Sequence, residues 1–182
     1  MRDQLIERAK AGDREAFGQL AAGEVDRLHA IARLILRDPE LARDATQEAL
    51  IRCWRQLPQL RDVARFDGWL NRILVNAATD ESRRNRRYEA SVRSLGVATV
   101  VPDAAQGVAD REQLERGFRR LKLEQRIVIV LHHYAGLTLD EVAAAIAVPP
   151  GTARTRYYQA ISNLRAALDA DARSVLPEEA PA

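Results

Sequence analysis

Arginine side chains cluster at two places in the sequence, and both clusters could bind a polyanion. Four of them fall within five residues, at Arg83, Arg84, Arg86 and Arg87. Such like charges repel one another unless an anion neutralises them, although cations at the C-terminal end of a helix also favour the helix dipole. The second cluster is Arg154, Arg156 and Arg165, in a stretch from residue 142 to 168 without any acidic residue. Both clusters predict phosphate-binding surfaces; a solvated arginine-rich helix is the alternative for each.

The second cluster lies in a pattern typical of a helix-turn-helix motif. Thr138 and Glu141 fit a capping box at the start of a short helix, a tight turn follows at 148–151, and a second helix is predicted to start near Thr152. The outer face and flanks of this second helix could contact base edges and phosphates in a major groove. The residues concerned are Thr152, Arg154, Thr155, Arg156, Tyr158 and Gln159.

A third set of polar residues, Asp44, Gln47 and Glu48, shares one face of a predicted helix because of its i, i+3, i+4 spacing. Asp38 followed by Pro39 marks the start of that helix. The face could bind a partner protein that presents arginines. Alternatively, its two carboxylates could form a metal or acid–base site. An exposed polar surface is the plainest interpretation. No histidine lies near in the sequence, which argues against the metal site.

Nothing else in the chain has the pattern of an active site. The 182 residues carry a net charge of only +2 and contain 26 Arg and 2 Lys, so a nucleic-acid surface requires local clustering. Cys53 is alone, which excludes an internal disulfide and a cysteine-based zinc site. We find neither a glycine-rich phosphate loop nor a nucleophile elbow. The charged first ten residues leave no room for a signal peptide. We therefore expect a cytoplasmic protein that is not an enzyme and has no cofactor.

Apolar residues recur at intervals of three and four along most of the chain, which predicts an all-α fold. We expect two short opening helices capped by Asp3 and Asp13, then helices at 24–36, 39–57 and 66–88, with a loop at 58–65. Two small helical domains follow from the pattern: an N-terminal helical bundle at 1–90 and a C-terminal helix-turn-helix domain at 110–172. A flexible linker at 91–109 joins them, and 173–182 form a tail.

Three stretches, in this order, resemble the bacterial extracytoplasmic-function (ECF) sigma factors of the sigma-70 family. Residues 38–49, DPELARDATQEA, look like the family's polymerase-binding helix. The pattern F-x-x-W-L-x-x-I-x-x-N-x-x-x-D-x-x-R-R, at 66–84, is similar to its promoter-opening helix. In the second half, Leu121, Gln125-Arg126, Gly136-Leu137-Thr138 and 151–156 (GTARTR) resemble its C-terminal DNA-binding domain.

The resemblance implies a sigma factor that binds core RNA polymerase and directs promoter-specific initiation. Asp44, Gln47 and Glu48 would dock on the clamp helices of the largest subunit, and the second-largest subunit's flap would be a further contact. The minus-ten element would be held by the long helix and the loop at 58–67, with Asn71, Asn76 and Asp80 at base edges and Arg83, Arg84, Arg86 and Arg87 at phosphates. Residues 152–159 would read the minus-thirty-five element, and an anti-sigma factor would be a further partner.

Two departures from the family pattern concern the start of the helix after Lys122 and the recognition of DNA. Lys122 stands where the family commonly has proline, and Gln159 replaces a frequent arginine, which could shift preference toward adenine. Two other functions remain compatible with parts of the pattern. A stand-alone helix-turn-helix regulator would bind duplex DNA through its basic second helix, with residues 1–90 as a sensing or dimerisation domain. A small helical metal-dependent hydrolase would use Asp44 and Glu48.

Overall fold

A computed structural model describes residues 1–94 and 109–175, with side chains at 1–92 and 115–169. Over these residues the chain forms eight α-helices and no β-strand, which confirms the predicted all-α class. The helices are α1 (Arg2–Lys10), α2 (Arg14–Leu36), α3 (Pro39–Gln56), α4 (Phe66–Ser94), α5 (Ala109–Arg120), α6 (Leu123–Ile129), α7 (Leu139–Ala145) and α8 (Pro150–Val175). Two 3-10 turns, Leu57–Gln59 and Val63–Arg65, join α3 to α4, and a π-helical turn, Val130–Tyr134, follows α6.

The start of the chain differs from the prediction in two ways. Asp13 caps α2 as expected, since its carboxylate accepts a hydrogen bond of 3.0 Å from the Ala16 amide. Residues 14–36 form one helix, however, because a buried stripe through Ala16, Leu20 and Leu28 continues without interruption. Asp3 is not a cap, since α1 already begins at Arg2.

A network of charged side chains fixes the start of α4 against α1 and α2. Arg2 donates to Asp67 at 3.0 Å and to the buried carboxylate of Glu24 at 2.6 Å. Arg27 binds the other oxygen of Glu24 and donates to the side-chain oxygen of Asn71 at 3.0 Å. The hydrogen bond from Arg2 holds the pKa of the Asp67 carboxyl below its ordinary value. Three helices are thereby tied together beside the loop that leads into α4.

Helix α3 begins where the sequence predicts. Asp38 accepts hydrogen bonds from the amides of Glu40 and Leu41, at 2.8 and 2.9 Å, and Pro39 occupies the first turn. The helix then packs against α4. Its buried stripe consists largely of small side chains: Ala42, Ala45, Thr46, Ala49 and Cys53.

The C-terminal unit contains the predicted helix-turn-helix motif. The capping box at the start of α7 is present: the Glu141 amide donates to the Thr138 hydroxyl at 3.3 Å, and the Thr138 amide donates to the Glu141 carboxylate at 2.8 Å. The turn between α7 and α8 contains Ala147 with φ +54°, a left-handed conformation in which a side chain is strained. Gly117 on α5 allows close approach of α8, because a Cβ there would lie 2.6 Å from Leu164 Cδ1.

The predicted domain boundaries fall partly outside the described residues. Helix α4 runs to Ser94 and α5 begins at Ala109, so α4 continues four residues into the predicted linker at 91–109. Residues 95–108 lie outside the described part of the chain. Helix α8 ends at Val175, inside the predicted tail at 173–182, and 176–182 are likewise outside it.

The N-terminal unit (α1–α4) and the C-terminal unit (α5–α8) pack against each other. Helix α2 contacts α6 and the π-helical turn, and α4 contacts α7. One apolar cluster contains Ile35 and Val75 from the first unit together with Ile127 and Leu131 from the second. Arg37, just after α2, donates to the Glu115 carbonyl at 2.7 Å. The apolar core is therefore shared between the two units.

Helix α2 offers a matched pair of leucines to test this core. Leu28 is fully buried, whereas Leu34 is 39% exposed. We expect Leu28→Ala to lower the free energy of unfolding by about 2–5 kcal/mol, because it leaves a cavity. Leu34→Ala should cost less than about 1 kcal/mol. Urea denaturation followed by circular dichroism measures both, and equal losses would contradict the described packing.

Candidate nucleic-acid and protein interfaces

The polar face of α3 is accessible in the structure. Asp44 and Gln47 are exposed and Glu48 is half-buried. Ile51 continues this face at i+7 from Asp44 and is 37% exposed, although sequence reasoning missed it. The sequence could have revealed it, because Ile51 follows Asp44 by seven residues and Glu48 by three and so lies on the same helix face. An isoleucine among polar residues on one face indicates a mixed contact surface. We call Asp44, Gln47, Glu48 and Ile51 the docking face.

The predicted residues on α4 do not all share one side of the helix. Asn76, Asp80, Arg83 and Arg87 lie within one stripe that Arg72 begins, because their spacing of three and four keeps them on one face. We call these five residues the α4 stripe. All are exposed except Asp80, which is half-buried. Among the described residues, Arg83 forms neither an ion pair nor a hydrogen bond, so its guanidinium is available to an anion.

Asn71 is a correction to the predicted base contacts. Its side chain is 1% exposed and its oxygen accepts the hydrogen bond from Arg27, so in this structure it cannot reach a base. One residue before Arg72, it is rotated by about 100° from the α4 stripe and faces α2. The predicted face was therefore too wide on that side.

The remaining arginines of the first cluster surround the α4 stripe. Arg84 and Arg86 are exposed on its two sides. Arg84 forms an ion pair of 2.7 Å with Glu81, whose carboxylate is otherwise buried. Arg84 is therefore partly neutralised, whereas Arg83 and Arg87 extend into solvent.

Glu48 and Asp80 are joined by a side chain that sequence reasoning did not single out. Arg52 donates from Nε to Glu48 at 2.7 Å and from Nη1 to Asp80 at 2.9 Å. These carboxylates raise the pKa of the Arg52 guanidinium, the hydrogen bond to Glu48 contributing most. Arg52 thus connects the docking face on α3 with the α4 stripe.

Helix α8 presents the predicted major-groove residues on its outer side. Thr155, Tyr158 and Gln159 are exposed, and Thr152 is half-buried. The two arginines flank this face: Arg154 forms an ion pair of 2.7 Å with Asp140 of α7, and Arg156 points toward α4. The stretch 142–168 lacks acids, as its sequence indicates, but Asp140 just before it supplies a carboxylate.

The α4 stripe and α8 meet across a cleft of about 510 Å³ between the two units. Residues of both predicted DNA surfaces line it, among them Asn76, Asp80, Arg83 and Arg156, together with Glu124 and Val148. The two arginine-bearing surfaces therefore oppose each other in this arrangement.

Positive charges also converge near the contact between the units. Burial lowers the pKa of Arg126, and the charges of Arg37 and Arg86 lower it further.

The described residues contain no group of three or more His, Cys, Asp or Glu placed to hold a metal ion. No helix among them is long and apolar enough to span a membrane.

Two family models match the chain, one on each helical unit. Sigma-70 region 2 matches residues 20–88, and Sigma-70 region 4 matches residues 111–164. The chain is 33% identical over 161 residues to the ECF RNA polymerase sigma factor SigM of Mycobacterium tuberculosis, covering 88% of this chain and 81% of SigM. It is 31% identical over 166 residues to the RNA polymerase sigma-E factor of Streptomyces avermitilis, covering 90% and 92%.

Two solved structures share the fold. CnrH, in complex with the cytosolic domain of CnrY, is 28% identical with a TM-score of 0.65, covering 93% of this chain and 97% of CnrH. The sigma factor RpoE of Bartonella quintana, in complex with the anti-sigma factor NepR, is 24% identical with a TM-score of 0.69, covering 85% and 98%.

An all-α chain with region 2 followed by region 4 is a transcription initiation factor by class. This chain belongs to the sigma-70 family of RNA polymerase sigma factors, in its extracytoplasmic-function group. The resemblance stated from the three sequence motifs is thereby confirmed.

The single cysteine allows a test of the packing between α3 and its neighbours. Cys53 is buried, and burial raises the pKa of its thiol to about 12. At pH 8 only about one thiol in ten thousand is then ionised, so a maleimide should label the native protein far more slowly than the protein unfolded in guanidinium. Mass spectrometry of timed samples measures both rates. Equal rates would show that Cys53 is accessible and its thiol reactive.

Proposed function

We propose how this sigma factor divides its work among three helices: α3 docks on core RNA polymerase, α4 holds the minus-ten element, and α8 reads the minus-thirty-five element. The observation that carries this proposal is the adjacency of two chemically different surfaces in the region 2 unit. The docking face on α3 is carboxylate-rich, and the α4 stripe beside it ends in exposed arginines. A factor that bridges a protein and DNA needs such a pair.

The docking face has the chemistry of a protein interface. Its exposed carboxylate Asp44 and half-buried Glu48 suit arginines of a partner, while Ile51 adds apolar area. We infer that the clamp helices of the largest polymerase subunit are this partner, as the family resemblance implies. Charge pairs of this kind steer association and fix register more than they add affinity.

The α4 stripe suits single-stranded DNA. Once the minus-ten element melts, bases turned out of the stack need hydrogen-bonding groups and their backbone needs cations. Asn76 and the free oxygen of Asp80 supply the former; Arg83 and Arg87, with Arg84 and Arg86 beside them, supply the latter. Residues 58–67, which connect α3 to α4 and include the first two residues of α4, complete the surface. Base capture offsets an unstacking cost of about a few kcal/mol.

The outer side of α8 suits the major groove of duplex DNA. Thr155, Tyr158 and Gln159 would face base edges, and Thr152, Arg154 and Arg156 would contact the backbone. Glutamine pairs with adenine through two hydrogen bonds, so Gln159 favours an adenine at its position in the minus-thirty-five element.

Promoter binding requires the two units to separate. The two elements lie roughly 25 base pairs apart, on the order of 80 Å along B-DNA, whereas the α4 stripe and Arg156 share one cleft here. Separating the units would also relieve the repulsion that Arg37 and Arg86 exert on Arg126 of α6. We infer that the described arrangement is that of the free protein and that the polymerase holds the units apart.

Further partners follow from the relatives. A sigma factor of known structure with the same fold is bound to an anti-sigma factor, and we propose that this chain has such a partner as well. We place the protein in the cytoplasm, where the polymerase acts. The polymerase supplies all the catalysis, so the chain is not itself an enzyme.

The rival function, a stand-alone helix-turn-helix regulator, would bind DNA through residues 110–172 and use residues 1–90 for sensing or dimerisation. The region 2 match over residues 20–88 argues against it, since a regulator that binds duplex DNA alone has no use for the docking face. A test that includes core polymerase separates the two functions.

The decisive experiment is transcription from a promoter library with purified core polymerase. We expect transcripts from a defined set of promoters only when the protein is present. Arg83→Ala with Arg84→Ala should slow open-complex formation by roughly tenfold for Arg83, because a charged hydrogen bond contributes about 1.5 kcal/mol or more, and by less for Arg84, which already pairs with Glu81. Polymerase affinity, measured by fluorescence anisotropy, should stay nearly unchanged.

The matched control inverts that pattern. Asp44→Lys with Glu48→Lys should abolish polymerase binding while leaving the affinity of the protein for an isolated minus-thirty-five duplex intact. Loss of polymerase binding in the arginine variant would contradict the roles given to α3 and α4. If the wild-type protein directed no transcription from any promoter in the library, the proposed function would be wrong.

The role of α8 is tested by salt dependence. Replacing Arg154 and Arg156 by alanine should weaken binding to the minus-thirty-five duplex and reduce the slope of log K against log salt by about 1 for each phosphate that is no longer bound. Titrations at several salt concentrations measure the slope. Gln159→Ala is the comparison, since it should change base preference without changing the slope. An unchanged slope in the arginine variant would mean that neither side chain contacts phosphate.

A further inference from the structure

The position of Arg52 between two carboxylates has a consequence for the α4 stripe. Its guanidinium lies between α3 and α4, with side-chain exposure of 26%, and binds Glu48 of its own helix and Asp80 of the next. A planar guanidinium can serve two carboxylates at once because its N–H groups point along two edges. The Asp80 carboxylate is thereby bound from the α3 side.

Asp80 has a second potential partner on its own helix. Arg83 follows it at i+3, a spacing at which opposite charges on a helix pair readily. In the structure they do not pair: Asp80 is bound by Arg52, and Arg83 has no ion pair or hydrogen bond in the part of the chain described. Other pairs at this spacing do form here, such as Glu81 with Arg84 and Glu40 with Arg43.

We propose that Arg52 is a positioning residue that occupies Asp80 and so keeps Arg83 available for a DNA phosphate. The inference rests on the proposed role of the α4 stripe and extends it to a residue of α3. Without Arg52, the Asp80 carboxylate turns to Arg83 and neutralises it. The stripe then loses a cation at the point where the backbone of the melted strand has to be held.

The same side chain connects this effect to docking. Glu48 belongs to the docking face, and its carboxylate is shared between Arg52 and solvent, with an exposure of 35%. A polymerase arginine that binds Glu48 competes with Arg52 for that carboxylate. Arg52 then shifts toward Asp80 and holds it more firmly. Docking on polymerase therefore strengthens the ion pair between Arg52 and Asp80. As a result, Arg83 is unpaired most often in the holoenzyme.

A mutant cycle with Arg83 tests the proposal. Open-complex formation is followed with a fluorescent base in the minus-ten element, at a polymerase concentration that saturates every variant, on a promoter that the wild-type protein uses. We expect Arg52→Gln to slow the reaction roughly tenfold and to reduce its salt slope by about 1. In an Arg83→Gln background the same change should have less than about a twofold effect, because no Arg83 remains to be released.

A second background gives an independent check. In Asp80→Asn protein no carboxylate can capture Arg83, so Arg52→Gln should again change the rate by less than about twofold. If Arg52 only stabilised the packing of α3 on α4, its effect would multiply with that of Arg83→Gln and persist in Asp80→Asn. Either result, or an unchanged salt slope, overturns the proposal.

The control is Arg8→Gln, which removes another interaction between an arginine and an aspartate. Arg8 of α1 pairs at 2.7 Å with Asp13 at the start of α2. The rate of open-complex formation and the salt slope of Arg8→Gln should equal those of the wild type. A loss as large as that of Arg52→Gln would show that removing any ion pair has this effect, and would overturn the proposal. Failure of the wild type itself to open promoters would instead refute the proposed function.

Discussion

The close packing of α3 on α4 is the constraint on which the other features depend. The buried stripe of α3 is built mainly from alanines. Small side chains let two helices approach closely. Arg52 can therefore reach a carboxylate on each helix at once. Larger residues in this interface would move the docking face and the α4 stripe apart and break the link between them.

Charge is separated along this pair of helices. Exposed carboxylates lie on the outer side of α3, and exposed arginines lie toward the end of α4. Because the formal charge of the whole chain is only +2, attraction to DNA depends on this local separation and not on the net charge. The ion pair between Arg52 and Asp80 lies between the carboxylates of α3 and the arginines of α4, and its two charges neutralise each other. The N-terminal network around Glu24 fixes the start of α4, and Arg52 binds the middle of the same helix at Asp80.

The starts of α3 and α7 could be predicted from the sequence, because they depend on local chemistry. Asp38 and Thr138 cap α3 and α7 through hydrogen bonds to amides two or three residues away, which spacing alone can indicate. Asn71 was misjudged because helical periodicity does not fix where a face ends; a neighbouring arginine on α2 decided it. Arg52 with Asp80 and Arg154 with Asp140 were also missed, since such pairs join residues on different helices.

The shared cleft sets a limit on how tightly the isolated protein can bind a promoter. If only molecules with separated units are competent, the apparent dissociation constant is the intrinsic one divided by the competent fraction. A preference of about a hundredfold for the packed arrangement would thus weaken DNA binding about a hundredfold, equivalent to about 2.7 kcal/mol. The exposed cationic helices would then bind chromosomal DNA only weakly until the sigma factor binds core polymerase.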